Sequence, residues 1–190
     1  LIGAYTGDAL TTGAQNVAIG YKALTGEDTG NKNIAIGTNA LEVLNYNGDG
    51  YNVAIGHDSG KSMTTGIRNT LVGAGTGDAL TTGNYNTAVG HFALSTEDTH
   101  SGNTAIGYTA LFTQNAGADA FNTAVGYQAG YAMTTGIQNT IVGGKAGDAL
   151  TTGAYNTVFG YSALSTEDTG GRSTAIGYFA LSQQNNDSDN

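Results

Sequence analysis

The sequence predicts an all-β protein, a parallel β-solenoid of about ten coils, each 17–19 residues long. Three observations predict it. A five-residue word recurs in phase along the whole chain: Asn16 to Gly20, Asn33 to Gly37, Asn52 to Gly56, Asn69 to Gly73, Asn86 to Gly90, Asn103 to Gly107, Asn122 to Gly126, Asn139 to Gly143 and Asn156 to Gly160, with Ser173 to Gly177 as a last copy that begins with Ser. Successive words start 17, 19, 17, 17, 17, 19, 17, 17 and 17 residues apart, and a fixed period of this kind marks a repeat architecture. Large apolar residues are scarce while Gly, Ala, Thr and Asn abound, so the chain can fill a thin interior many times over but not one wide core.

Each position in the word has a physical task. The third residue is Ala in seven copies and Leu71, Ile141 or Val158 in the others; the fourth is Val, Ile or Phe159. Neighbours in a strand point to opposite faces, so a strand apolar at both positions needs cover on both sides. The coil interior supplies one cover. A thin solenoid does not supply the other, and a neighbouring copy of the chain is expected there. The Gly that closes each word is expected to take a turn conformation that a Cβ disfavours. The opening Asn residues (Asn16, Asn33, Asn52, Asn69, Asn86, Asn103, Asn122, Asn139 and Asn156) are expected to stack as a structural ladder, as in other stacked β-structures. A second small position (Ala23, Ala40, Ser59, Thr76, Ala93, Ala110, Ala129, Ala146, Ala163 and Ala180) is expected to let two strands of one coil approach closely. No stretch shows a sustained helical apolar period, and Gly recurs too often for helix. Ten coils at strand spacing give a rod about 50 Å long.

A longer period lies over the first. Gly7 to Gly13 returns as Gly77 to Gly83 and Gly147 to Gly153, an offset of 70 residues each time. The organisation is therefore a single repeat solenoid over 1–190, in blocks 1–70, 71–140 and a partial 141–190 that runs into a wide spacer at Asn185 to Asn190. The chain starts inside a repeat without an initiator Met, and we read it as an excerpt of a longer fibre protein.

Composition excludes several functions. There is no Cys, hence no disulfide framework, thiolate metal site or Cys nucleophile. The net charge is −9 with six basic residues spread thinly in sequence, which argues against nucleic-acid binding and against attachment to anionic membranes. No apolar run is long enough to span a bilayer. His57 and His91 stand just after the word, where other coils have Tyr, Thr, Ala or Gly, so that column is a tolerant surface and no catalytic residues are expected. The carboxylate pairs Glu27-Asp28, Glu97-Asp98 and Glu167-Asp168 are sequence neighbours expected to point apart, a poor glycosidase pair, and are read with the other acidic loops as solvated turn residues. No metal site or cofactor is expected; Ca²⁺ is the one candidate, through Asp8, Asp78, Asp148 and the wide loop Asn45 to Gly50, which lacks a closing Glu. The Thr column from Thr70 to Thr174 shares a face with the apolar fourth residue, so burial is favoured over ice binding. Glycan-binding candidates are Tyr21, Tyr108, Tyr127, Tyr161 and Tyr178, with Tyr51, Tyr85, Phe121 and Tyr155 before the words, because a Tyr ring joins an apolar face to a polar tip.

The words Asn52-Val53-Ala54-Ile55-Gly56 and Asn122-Thr123-Ala124-Val125-Gly126-Tyr127 carry a family resemblance. The first resembles the repeat of YadA-like heads of trimeric autotransporter adhesins, a left-handed parallel β-roll. The second resembles the repeat shafts of phage tail fibres. The resemblance covers essentially the whole chain. It implies a left-handed coil, a homotrimer, and a non-enzymatic structural segment of an extracellular, cell-surface or virion fibre that attaches to host cells or surfaces. Its partners would be two further copies of itself and a glycan or protein receptor, with no nucleic acid and no membrane contact from this segment. A glycan-binding solenoid using the Tyr column and a self-assembling extracellular fibril are the alternatives.

Overall fold

The computed structural model describes residues 1–184; the wide spacer at Asn185 to Asn190 lies outside them. Every word becomes one three-residue strand: β1 (Val17–Ile19), β2 (Ile34–Ile36), β3 (Val53–Ile55), β4 (Thr70–Val72), β5 (Thr87–Val89), β6 (Thr104–Ile106), β7 (Thr123–Val125), β8 (Thr140–Val142), β9 (Thr157–Phe159) and β10 (Thr174–Ile176). They form a single parallel sheet in chain order. Register is word on word, as in Ala18 opposite Ala35 and Ala35 opposite Ala54, and the two wider coils do not break it. The truncated opening word joins the stack through a bridge between Ile2 and Ile19. The fold is thus a parallel β-solenoid of roughly 17-residue coils, without helix among the described residues.

The strands alternate as a pleat requires. The middle residue is buried in all ten, and its two neighbours face outward. Opposite the strand, the expected second strand is absent. That wall is a chain of turns in which every second residue is left-handed, as at Lys22 (φ 56°) and Leu24 (φ 54°) or Asn39 (φ 56°) and Leu41 (φ 49°). These residues still bond from coil to coil: the Lys22 amide donates to Ala4 O at 3.0 Å and the Leu24 amide to Ala40 O at 3.0 Å. Among the described residues twenty-five non-glycine residues have positive φ. A few per cent is usual, so coil-to-coil hydrogen bonding here overrides local steric preference.

The interior conserves volume across its width. Where the turn wall carries Leu24, Leu41, Leu94, Leu111 or Leu164, the strand of that coil offers Ala. Where the wall carries Gly60 and Gly77, the strand between them carries Leu71, and a Cβ on Gly60 would lie 2.9 Å from Leu71 Cδ1. Ile141 fills the same role between Gly130 and Gly147. Met63, Leu80, Met133 and Leu150 follow those glycines by three residues and complete the buried core. The second small position lines this core as expected, down to Ser59, whose hydroxyl donates to Leu71 O at 3.0 Å.

Candidate functional site

The repeat places identical side chains above one another, so every candidate site is a column. The Asn column runs up the inside of the stack. Asn16 Oδ1 accepts the Asn33 amide at 2.8 Å, and the same bond recurs at every step to Asn156 Oδ1, which accepts the Ser173 amide at 2.9 Å. The Nδ2 of Asn52 donates to Gly66 O at 2.8 Å, and those of Asn69, Asn122, Asn139 and Asn156 likewise donate to the carbonyl fourteen residues on. Asn103 Nδ2, beneath a wide coil, finds no such partner. Only a short side chain with both an acceptor and a donor satisfies two backbone groups of the next coil at once, which is why the word opens on Asn.

The closing Gly answers two constraints. Gly20 has φ 131°, and a Cβ there would lie 2.6 Å from Gly37 O in the next coil. Conformation and closeness both exclude a side chain.

The acidic columns depart from expectation. Glu27, Glu97 and Glu167 are fully buried, although they read as solvated turn residues. They occupy the core position that holds Met63, Leu80, Met133 and Leu150 in other coils, three residues after a Leu or Gly of the turn wall. Glu27 Oε1 accepts the Gly30 amide at 2.7 Å, and Glu167 Oε1 the Gly170 amide at 2.8 Å, so each carboxylate closes its own turn. In the middle block His100 stands where the others have Gly; its Nδ1 lies 2.6 Å from Glu97 Oε1. Burial holds the Glu97 carboxyl above its ordinary range, partly offset by the bonds from His100. The paired acids do point apart: Glu167 is buried while Asp168 is exposed.

Among the described residues, only Glu97, Asp98 and His100 bring three possible metal donors within 4.8 Å of one another. The Ca²⁺ candidates do not gather. Asp49 of the wide loop instead engages Lys32 Nζ at 2.6 Å, which holds its carboxyl below the ordinary range. Asp148 is raised by burial. The described residues form no pocket, because the narrow interior is filled by its own side chains. No helix is long and apolar enough to cross a membrane.

The aromatic candidates split between two columns. After the word, Tyr108 and Tyr127 stack at 5.3 Å with His91 beneath Tyr108 at 5.7 Å, and Tyr161 stacks on Tyr178 at 5.8 Å. Tyr21 stands apart, edge-on to Tyr5 at 5.8 Å. Thr38, Ala74 and Gly144 interrupt this column. All five Tyr are about half exposed or more. Before the word, Tyr51, Tyr85 and Tyr155 alternate with basic residues, a feature that sequence spacing alone did not bring out. Lys32, Arg68 and Arg172, three of the six basic residues, share this one column. Aligning the coils by their words, rather than scanning for runs of charge, would have shown it.

The outward strand face carries no ionisable residue in any coil. It presents Val17, Ile34, Val53 and the Thr column at one position, and Ile19, Ile36, Ile55 and their equivalents up to Ile176 at the other. In the single chain this face is half open: Val17 is 42% exposed, Ile55 37% and Phe159 57%. The Thr residues lie beside these apolar residues and are themselves intermediate or exposed. Compared with protein-family models, with curated proteins and with solved structures, this repeat chain has no match, so its fold and columns rest on its own geometry.

Proposed function

We propose that the chain is a non-enzymatic structural segment of a trimeric surface fibre, of the adhesin-head or phage tail-fibre type, that spaces or presents an attachment site outside the cell or virion. The observation that carries this reading is the outward strand face. Ten rungs of Val, Ile, Phe and Thr make a continuous stripe without charge, roughly 45–50 Å long at strand spacing. A contiguous apolar surface of that extent marks an interaction site on a soluble protein. Its length follows the fibre axis, so its partner runs parallel to it, and sister copies in a left-handed trimeric β-roll meet that requirement at every rung. Stiffness follows from the same geometry: each coil bonds to the next through strand, turn wall and Asn column.

Light scattering on the folded chain tests the reading. The expected mass is three times 19.2 kDa, and a mass of one chain at micromolar concentration would overturn it. Electron microscopy distinguishes discrete rods from the endless filaments of a self-assembling fibril. The stacked, exposed Tyr108 and Tyr127 favour, as a second reading, a solenoid that also holds glycans.

A further inference from the structure

The column before the word supports an inference of its own. Lys32, Tyr51, Arg68 and Tyr85 occupy the same position in four consecutive coils, at the corner entering each strand. All four are left-handed, with φ of 60°, 52°, 58° and 58°. The amides of Lys32, Arg68 and Tyr85 each donate to a carbonyl of the preceding coil, at 3.1, 2.7 and 3.1 Å, so the rungs are fixed to the stack. Lys32 Nζ lies 5.0 Å from the Tyr51 ring centre, and the Arg68 guanidinium carbon lies 6.0 Å from Tyr51 and 5.5 Å from Tyr85. The result is a rigid, alternating ladder of cation and ring.

Its charges are not equivalent. Lys32 is neutralised by Asp49, which also accepts the Tyr51 hydroxyl at 3.1 Å. Arg68 donates from Nη1 to the Tyr85 hydroxyl at 2.6 Å and forms no ion pair among the described residues. A guanidinium has five N–H donors in a planar fork suited to oxyanions. The stripe therefore exposes one uncompensated cation between two rings. Tyr51 and Tyr85 are 47% and 55% exposed and stand two rungs apart, about 10 Å along the axis. That separation is close to the advance of one disaccharide in an extended polysaccharide.

We propose that this ladder binds an extended anionic polysaccharide, with sugar rings on Tyr51 and Tyr85 and a carboxylate or sulfate on Arg68. The flat rings accept the apolar faces of sugars, and the fork accepts the oxyanion. A nucleic acid fits poorly, because its closely spaced phosphates would meet a chain of net charge −9 with one free cation. The next block provides an internal contrast. Seventy residues on, the column reads Gly102, Phe121, Gln138, Tyr155: the rings persist and both cations are gone. The anion site belongs to the first block. It lies along one chain and does not depend on the trimeric reading.

Titration calorimetry of the whole folded chain tests the proposal with three hexasaccharides: an oligogalacturonate, a heparin fragment and neutral cellohexaose. Binding of either anionic probe is expected, with no comparable affinity for cellohexaose. Preference for the first identifies a carboxylate ligand, and preference for the second a sulfated one. Arg68→Gln, which copies the natural Gln138, should lower that affinity about tenfold or more at unchanged thermal stability. Tyr51→Ala and Tyr85→Ala should also weaken it, whereas Tyr161→Ala should not. The proposal fails if neither anionic probe binds at millimolar concentration or if Arg68→Gln binds like the parent. It also fails if polyglutamate binds as tightly as the saccharides, which would point to an acidic protein instead. Measuring the mass of each variant separates loss of binding from loss of assembly.

Discussion

Replacing Asn139 with Ala removes one rung of the inner column and leaves the backbone around it in place. The Asn156 amide loses the acceptor 2.9 Å away, and Gly153 O loses a donor at 2.9 Å. Both groups are buried, so water cannot replace the lost partner. A buried polar group left unpartnered costs about 1–3 kcal/mol, so the pair costs about 2–6 kcal/mol. That is a large share of the roughly 5–15 kcal/mol that holds a typical domain together. Urea unfolding followed by circular dichroism measures it, with Gln138→Asn as control. Gln138 is the preceding residue, exposed, with φ 56°, a conformation that Asn tolerates, and its change should stay within about 0.5 kcal/mol. Because stability in a solenoid is a sum over neighbouring coils, Asn139→Ala should also make the coils beyond residue 139 exchange their amides earlier than those before it. A value for Asn139→Ala within about 0.5 kcal/mol of the parent would refute the reasoning, since the column would then carry no net stabilisation.

Other outcomes follow from the same geometry. Gly20→Ala forces a Cβ against Gly37 O at 2.6 Å with φ at 131°, whereas Gly117 has φ 71° and nothing within 4 Å. Gly117→Ala should therefore cost about 1 kcal/mol and Gly20→Ala at least twice that in thermal or urea unfolding, and equal costs would contradict the account. Ile106→Lys places a charge on the outward strand face, where Ile106 is 37% exposed. Light scattering should show the mass fall to a single chain while circular dichroism stays unchanged. Burial raises the Glu97 carboxyl above its ordinary value of 4.5, so the folded chain holds that proton more readily than the unfolded one. The stability this group contributes is greatest below 4.5 and falls as pH rises through the window up to the raised value. Glu97→Gln should flatten that fall in melting temperature against pH, and a profile that overlays the parent would show Glu97 to be energetically silent.

How far the sequence alone reaches depends on what fixes each residue. The pleat fixes the strand: Ala88 goes inward and Thr87 and Val89 outward because neighbours in a strand must diverge. The Gly and Asn of the word are equally legible, since few side chains can do what they do. The turn wall was not legible. Leu24, Tyr51 and Phe92 have no intrinsic preference for positive φ, and only the hydrogen bonds of the completed stack hold them there. Glu27 misleads for a related reason. Locally it reads as a turn acid, but its place is set by a column that holds Leu80 and Met133 in other coils. Arg68 looked isolated because Lys32 and Tyr85 are far away in sequence; two turns of the stack bring them to its side. The outward strand face was read as covered, and within one chain it stands half open, which is the basis for assigning its cover to sister copies.

The wide coils keep strict register with the narrow ones on either side. Two extra residues therefore bulge sideways without shifting anything above or below. A gene encoding such a chain can gain or lose whole 70-residue modules by unequal exchange between its own copies, and every product will still thread. Each event changes reach by four rungs, about 19 Å, and leaves the flank of the rod unaltered. Fibre length becomes a quantity that recombination can count, adjustable on its own while whatever the rod carries stays the same.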